Sequence, residues 1–253
     1  MRKRLDVLLV ERGLAESRAQ AQALVIAGLV PGYTKPGQQV ADDVELEVER
    51  SPRFVSRGGE KLAHALDALG IDPAGKSCLD LGASTGGFTD CLLQRGAARV
   101  VAVDVGYGQL HPRLRADDRV TVLERVNARA LPPLSYAPEL IVCDVSFISA
   151  SKVLPPAIRQ AVPGWQALVL VKPQFEAGRA DAPKGVVRDP DVHRRVLRAF
   201  CGEAFGLGAR VGGVVDSGHP GPKGNREFLV HLIASASPSE PDDIERRIEH
   251  AVG

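Results

Sequence analysis

The stretch C-L-D-L-G-A-S-T-G-G-F, residues 78–88, decides how this chain is read. Cys78 to Leu81 reads as the end of a strand, Gly82 to Gly87 as a turn with three glycines, and Phe88 as the opening of a helix. Glycine suits such a turn because the backbone must bend sharply and let a ligand approach closer than a Cβ permits. Outward from it, strand signals recur near residues 77–82, 99–104, 120–124, 139–144 and 167–172, with helix-like stretches between them. That alternation predicts a parallel sheet with right-handed crossovers. The last strong runs, Ala209 to Val215 and Phe228 to Ile233, are joined by a Pro/Gly loop without a helix, as an antiparallel pair would be. The expected fold class is α/β: a Rossmann-like, seven-stranded, mostly parallel sheet with an antiparallel last strand.

Composition sets the bounds. With 253 residues, 44% hydrophobic and 25% charged, the chain can build one sizeable core with a small appended module. A formal net charge of +1 excludes a uniformly basic surface, so a nucleic acid would be held by local patches. Cys78, Cys91, Cys143 and Cys201 form no C-x-x-C pair, and no His stands at ligand spacing, so no metal site is expected. Met1-Arg2-Lys3-Arg4 begins like a signal peptide, but Asp6, Glu11, Arg12 and Glu16 interrupt the apolar segment that should follow. The longest apolar runs, Ala167 to Val171 and Leu140 to Cys143, fall far short of a membrane span. The expectation is a soluble cytoplasmic protein, a monomer or weak dimer, with reduced and mostly buried thiols.

Residues 1–50 read as a separate small α+β module. Leu5, Leu8 and Leu9 mark a short helix ending near Gly13, and Ser17 with Gln20 forms a capping box for a second helix from about Arg18 to Gly28. Ala19, Ala23, Leu24 and Ala27 are the expected face of that helix, and Val44, Leu46 and Val48, alternating with Glu45, Glu47 and Glu49, an expected strand. A basic linker, 51–57, leads to a second domain, 58–253, which starts with a helix carrying Leu62, Leu66 and Leu69 and stopping at Gly70. At the far end Ile244, Ile248 and Val252 suggest a short amphipathic helix.

The glycine turn reads G-x-x-x-G-G with an acid two places before the first glycine, whereas a dinucleotide enzyme would want G-x-G-x-x-G. Such an acid suits the ammonium group of an amino-acid-bearing donor better than a pyrophosphate. Asp104 closes the second strand, where a carboxylate can accept from both hydroxyls of a ribose. The ligand that fits both is S-adenosylmethionine. The expected cofactor residues are Asp80, Gly82, Ser84, Gly86, Gly87, Phe88, Asp104, Asn127 and Asp144.

Charged residues collect at the same edge of the expected sheet. Asp144 ends the fourth strand, Lys172 the fifth, Glu227 begins the last, and Lys61 lies in the first turn of the helix before the first strand. Deprotonating a ribose 2′-hydroxyl during methyl transfer needs a base, and a lysine serves when a nearby cation and partial burial favour its neutral form. Lys172 is the expected base, Lys61 and Asp144 orient it, and Glu227 fixes Lys61 or the ribose.

Six segments, V-S-R-G-G-E-K-L, L-D-L-G-A-S-T-G-G-F-T-D, V-A-V-D-V-G-Y-G-Q-L, C-D-V-S-F-I-S, V-K-P-Q-F-E-A-G and P-G-P-K-G-N-R-E-F, resemble the hemolysin A-like family of rRNA methyltransferases. Residues 5–30 and 35–40 resemble the S4 RNA-binding fold, with Pro31-Gly32-Tyr33-Thr34 in place of the usual strand and turn. The resemblance implies a class I methyltransferase domain and an FtsJ-like Lys-Asp-Lys-Glu tetrad at Lys61, Asp144, Lys172 and Glu227. It also implies cytidine 2′-O-methylation in ribosomal RNA, with ribosomal RNA or ribosomal subunits as partners.

Other chemistries fit less well. Base N-methylation wants an N/D-P-P-Y/F turn, and Asp144-Val145-Ser146-Phe147 has no proline. C5 methylation wants a nucleophilic cysteine, and Cys143 points away from the Asp144 face of its strand. Arg188, Arg194, Arg195 and Arg198 are a basic stretch mixed with Asp189 and Asp191, readable as an RNA contact or as a solvated helix face. An RNA-binding assembly factor without catalysis, or a pore-forming haemolysin, remain as alternatives; the second would need a membrane-inserting segment.

Overall fold

The computed structural model describes residues 2–26, 28–48, 53–178 and 180–253. It divides into two compact units, Met1–Pro52 and Arg53–Gly253.

The first unit is a two-stranded ribbon beside two helices. Strand β1 (Arg2–Arg4) pairs antiparallel with β2 (Gln39–Ala41), Lys3 opposite Val40. Helix α1 (Leu5–Glu11) follows β1 directly, and α2 (Arg18–Ile26) packs against it. Ser17 caps α2, its hydroxyl accepting from Gln20 N at 3.2 Å, while Gln20 Oε1 reaches back to Glu16 N at 2.6 Å. The core holds Leu5, Leu8, Leu9, Ala21, Val25 and Val30. Packing against α1 selects Ala21 and Val25 as the buried face, not Ala19 and Ala23, which are exposed. Six of the nine residues of this helix are apolar, so periodicity alone could not choose. Residues 44–48 keep the expected alternation, with Val44, Leu46 and Val48 half-buried and Glu45 and Glu47 exposed, yet they form no strand. An extended segment can lay one side on a core without a ladder partner. The expectations on Ala27, Glu49 and residues 50–52 lie outside the described residues.

One buried carboxylate organises this unit. Asp6 is fully buried and accepts from Arg4 at 2.9 and 3.0 Å, Arg18 at 3.0 Å and Gln22 at 2.8 Å. The Arg4 hydrogen bonds, with help from Gln22 and Arg18, hold its carboxyl well below the usual range against the opposing effect of burial.

The second unit is a seven-stranded sheet in the order β5-β4-β3-β6-β7-β9-β8. Its strands are β3 (Ser77–Leu81), β4 (Arg99–Asp104), β5 (Val120–Glu124), β6 (Leu140–Cys143), β7 (Gln166–Val171), β8 (Ala209–Asp216) and β9 (Phe228–Ala234). β3 to β7 pair in parallel, and β9 inserts antiparallel between β7 and β8. Helices α3 (Arg57–Leu69), α4 (Gly87–Gln94) and α5 (Pro112–Arg115) bury Leu62, Leu66, Leu92 and Leu114 in one core layer. Helices α6 (Leu154–Ile158), α8 (Pro190–Glu203) and α9 (Pro241–Val252) bury Leu154, Leu197, Phe200 and Ile248 in the other; one-turn α7 (Pro173–Glu176) follows β7. The four cysteines are buried free thiols.

The expected linker is shorter than its basic composition suggests. Phe54 is buried in the core and α3 already starts at Arg57, which puts Lys61 in its second turn. No described helix is long and apolar enough to cross a membrane.

Replacing Asp6 with Ala leaves the two arginines free to resolvate, so the cost is about 1–3 kcal/mol rather than that of a stranded buried charge. Hydrogen exchange on the intact chain should quicken in residues 2–48 and not in the sheet. Because the Asp6 carboxyl is depressed in the folded state, the same amides lose protection as pH falls through and below the ordinary carboxylate range.

Candidate active site

The sheet winds in opposite directions from β3, so the crevice between β3 and β6 lies at a topological switch point. There Leu81 stands opposite Cys143, and Asp144 N donates to Leu81 O at 2.9 Å. Both chains leave the sheet together, β3 into the glycine turn and β6 into Asp144 to Phe147.

Two glycines make this convergence possible. Gly82 has φ 84°, and a Cβ there would stand 2.4 Å from the Asp144 carbonyl oxygen. A Cβ on Gly87 would stand 2.2 Å from Ser56 Oγ and 2.9 Å from Gly59 N. Bare backbone therefore lets the Asp144 segment close on one side of the turn and the start of α3 on the other.

Two adjoining cavities open at this edge and share Gly82, Ser84 and Asp144. The larger, about 490 Å³, is mostly apolar, with Val103, Val126, Ala128, Ile148 and Val153 on its wall and Asp104 and Asn127 among its polar groups. Asp104 anchors the turn, its Oδ2 accepting from Ser84 N at 2.8 Å and its Oδ1 from Gly106 N at 2.7 Å. Each oxygen keeps a lone pair for a further donor. Asn127 caps a one-turn 3-10 helix, Oδ1 to Arg129 N at 3.0 Å, and lines the cavity as well.

The smaller cavity, about 250 Å³, is walled by Lys61, Asp144, Lys172 and Glu227 together with Gly87 and Phe88. Its charges fall into two pairs. Lys172 Nζ lies 2.5 Å from Asp144 Oδ1 and donates to Ser146 Oγ at 2.9 Å. Lys61 Nζ pairs with Glu227 Oε2, both side chains largely buried, and Gln174 Nε2 donates to Glu227 Oε1 at 2.9 Å. Each lysine thus has its own carboxylate. α3 supplies Lys61, the ends of β6 and β7 supply Asp144 and Lys172, and the residue before β9 supplies Glu227.

Asp80 and Gly86 are on neither wall. Asp80 is fully buried beneath the turn; Oδ2 accepts from Thr89 Oγ1 at 2.7 Å, while Oδ1 has no partner. Burial, with the charges of Asp144 and Asp104, pushes its carboxyl up to about 7 despite the Thr89 hydrogen bond. Cys143 is fully buried and burial pushes its thiol far up, which removes it as a nucleophile. Arg194, Arg195 and Arg198 pair with Glu249, Asp181 and Glu245 respectively, so these three form an ion-paired helix face, while Arg188 is exposed ahead of the helix.

Sequence reasoning missed Ser146, Gln174 and Ser56 in this site. Gln174 carried a signal: Pro173 after a strand end marks the first position of a helix, and one turn there swings the next residue toward the neighbouring strand.

Fold and cavity together define the class: a Rossmann-like methyltransferase. Residues 54–234 match the FtsJ-like methyltransferase family, and the chain belongs to it. Residues 3–30 match the S4 domain. The chain is 48% identical over 240 residues to the 16S/23S rRNA (cytidine-2′-O)-methyltransferase TlyA of Mycobacterium tuberculosis, covering 91% of this chain and 90% of that protein. It is 40% identical to Hemolysin A of Brachyspira hyodysenteriae, covering 91% and 99%. A solved structure from Streptococcus thermophilus carrying the name hemolysin superposes with TM-score 0.76 at 42% identity, covering 99% of this chain and 95% of that one.

Carbon-13 NMR titration of the unliganded protein should find the Asp80 carboxyl titrating near 7. In Thr89→Val the midpoint should move higher, because the hydrogen bond that favours the charged form is gone. A midpoint in the ordinary carboxylate range would contradict the burial described.

Proposed function

We propose that this protein is an S-adenosylmethionine-dependent methyltransferase of ribosomal RNA that modifies the ribose 2′-hydroxyl of a cytidine, with Lys61, Asp144, Lys172 and Glu227 as its catalytic residues. The observation that carries the reading is the pair of lysine–carboxylate couples on one wall of the cavity beside the glycine turn. The relative at 48% identity bears the name of that activity.

The residues present fit S-adenosylmethionine. The unpartnered, buried Asp80 Oδ1 is an acceptor suited to the donor's ammonium group, with Gly82, Gly86 and Gly87 shaping the turn above it. Ser84, Asp104 and Asn127 offer polar contacts to the ribose and adenine edges, Phe88 closes the adjoining wall, and the apolar cavity is of the size that holds a nucleoside. When bound, S-adenosylmethionine supplies an electrophilic methyl group on a sulfonium, which passes to the hydroxyl oxygen as the carbon–sulfur bond breaks.

The chain's own residues supply the rest. In its neutral form Lys172 Nζ accepts the proton leaving the 2′-hydroxyl, and Asp144, 2.5 Å away, stabilises the ammonium that forms. Ser146 fixes the direction of the Lys172 amine. Glu227, held by Gln174, keeps Lys61 beside the cavity, where its charge steadies the developing alkoxide.

General-base removal costs about 10²- to 10⁴-fold. Lys172→Ala should lose methyl transfer by about that factor while binding both S-adenosylmethionine and ribosomal RNA as the parent does. Undiminished transfer would remove Lys172 as the base. A parent protein that binds ribosomal RNA and transfers no methyl group would make this an RNA-binding factor.

A further inference from the structure

Two turns, one of which contributes Pro222 to the wall of the smaller cavity, are built alike. Ala182-Pro183-Lys184-Gly185 and Gly221-Pro222-Lys223-Gly224 each close with the last residue's N–H on the first residue's carbonyl, at 2.9 and 3.1 Å. Lys184 has φ 56° and ψ 19°, and Lys223 has φ 58° and ψ 19°. A proline followed by a left-handed residue is a type II turn, whose third position usually carries Gly or Asn. An L side chain there costs roughly 1–2 kcal/mol. The same residue at the same strained position of both turns is not explained by the turns themselves, and strain of this kind collects where a ligand is gripped.

The two turns are fastened to each other. Asn225 is buried; its Oδ1 accepts from Val187 N at 2.9 Å, and its Nδ2 donates to Gly185 O at 3.0 Å and Pro222 O at 2.9 Å. Lys223 Nζ donates to Lys184 O at 2.9 Å, the one side-chain hydrogen bond of either lysine among the described residues. Pro222 belongs to the cavity wall beside Lys61 and Glu227, and the lysines of the two joined turns are both exposed. The arginines of α8, by contrast, are already taken up by carboxylates.

We propose that Lys184 and Lys223 form a paired clamp for the phosphodiester backbone flanking the target ribose. The inference rests on the reading of this protein as an RNA ribose methyltransferase. Two ammonium groups mounted on mutually braced turns meet consecutive phosphates with little ordering left to do on binding. They would set which ribose enters the cavity without touching the reacting atoms.

The test is the double variant Lys184→Gly/Lys223→Gly in the full chain. Glycine is at home at both φ values, which offsets the lost Lys223–Lys184 bond while Asn225 still joins the turns, so the variant should melt close to the parent's temperature and an RNA defect at that temperature is not a folding defect. The probes are 16S and 23S ribosomal RNA transcripts, bound over a series of potassium chloride concentrations. The slope of log affinity against log salt should fall by about 1 to 2, as expected for two lost phosphate contacts, and the KM for RNA should rise roughly tenfold. S-adenosylmethionine affinity should stay at the parent's value, and Lys184→Arg/Lys223→Arg should restore the slope. An unchanged slope and KM in the glycine variant would overturn the clamp. A parent that binds the transcripts with a salt-dependent affinity but methylates neither would overturn the methyltransferase reading and still leave the slope comparison to judge the clamp. A parent with no affinity for either transcript would overturn both.

Discussion

The close approach of three backbone segments at the end of β3 is the constraint on which the site depends. The Asp144 carbonyl fills the space beside Gly82, and Ser56 with the Gly59 amide fills the space beside Gly87. A single methyl at either glycine would push apart segments that carry opposite ends of the charged wall. Asp144 reaches Lys172 because β6 pairs with β7, and Lys61 reaches Glu227 because α3 packs against β9. The glycines therefore bear on both couples, since they let Asp144 and the start of α3 close on the same turn.

That spacing also bears on electrostatics. Two lysines and two carboxyl side chains share a cavity of about 250 Å³, with Lys61 and Glu227 largely withdrawn from water. Pairing each cation with its own anion limits the desolvation cost that isolated charges would incur. In the proposed mechanism it also places a carboxylate beside the ammonium that forms. Asp80, directly below, has a strong hydrogen bond on one oxygen only. A carboxylate left half-satisfied beneath a ligand turn is costly in the free protein, and a cation that reaches it repays that cost on binding.

Much of this was legible in the amino-acid sequence, and the rest was not for identifiable reasons. All seven strands of the sheet were placed within a residue or two, because buried parallel strands are apolar runs bounded by turn signals. The ends of those strands carry Asp104, Asp144 and Lys172, so their meeting at one edge followed from topology. The depth of Asp80 did not, since strand alternation says nothing about how far a ligand turn stands above its sheet. In the first unit, β1 was missed because Arg2-Lys3-Arg4 is all charged and pairs through backbone alone. The segment 44–48 was taken for a strand because period-two burial marks any extended chain lying on a core. The lysines of the two type II turns were invisible because P-K-G is an ordinary turn sequence until its dihedral angles are known.

The proposed tetrad acts on a ribose hydroxyl and not on a base. Nucleoside mass spectrometry of ribosomal RNA, after incubation with this protein and S-adenosylmethionine, tests it most directly. The expected result is accumulation of 2′-O-methylcytidine that depends on Lys172; a methyl group found on a nucleobase, or no methylated ribose at all, would contradict the proposed chemistry.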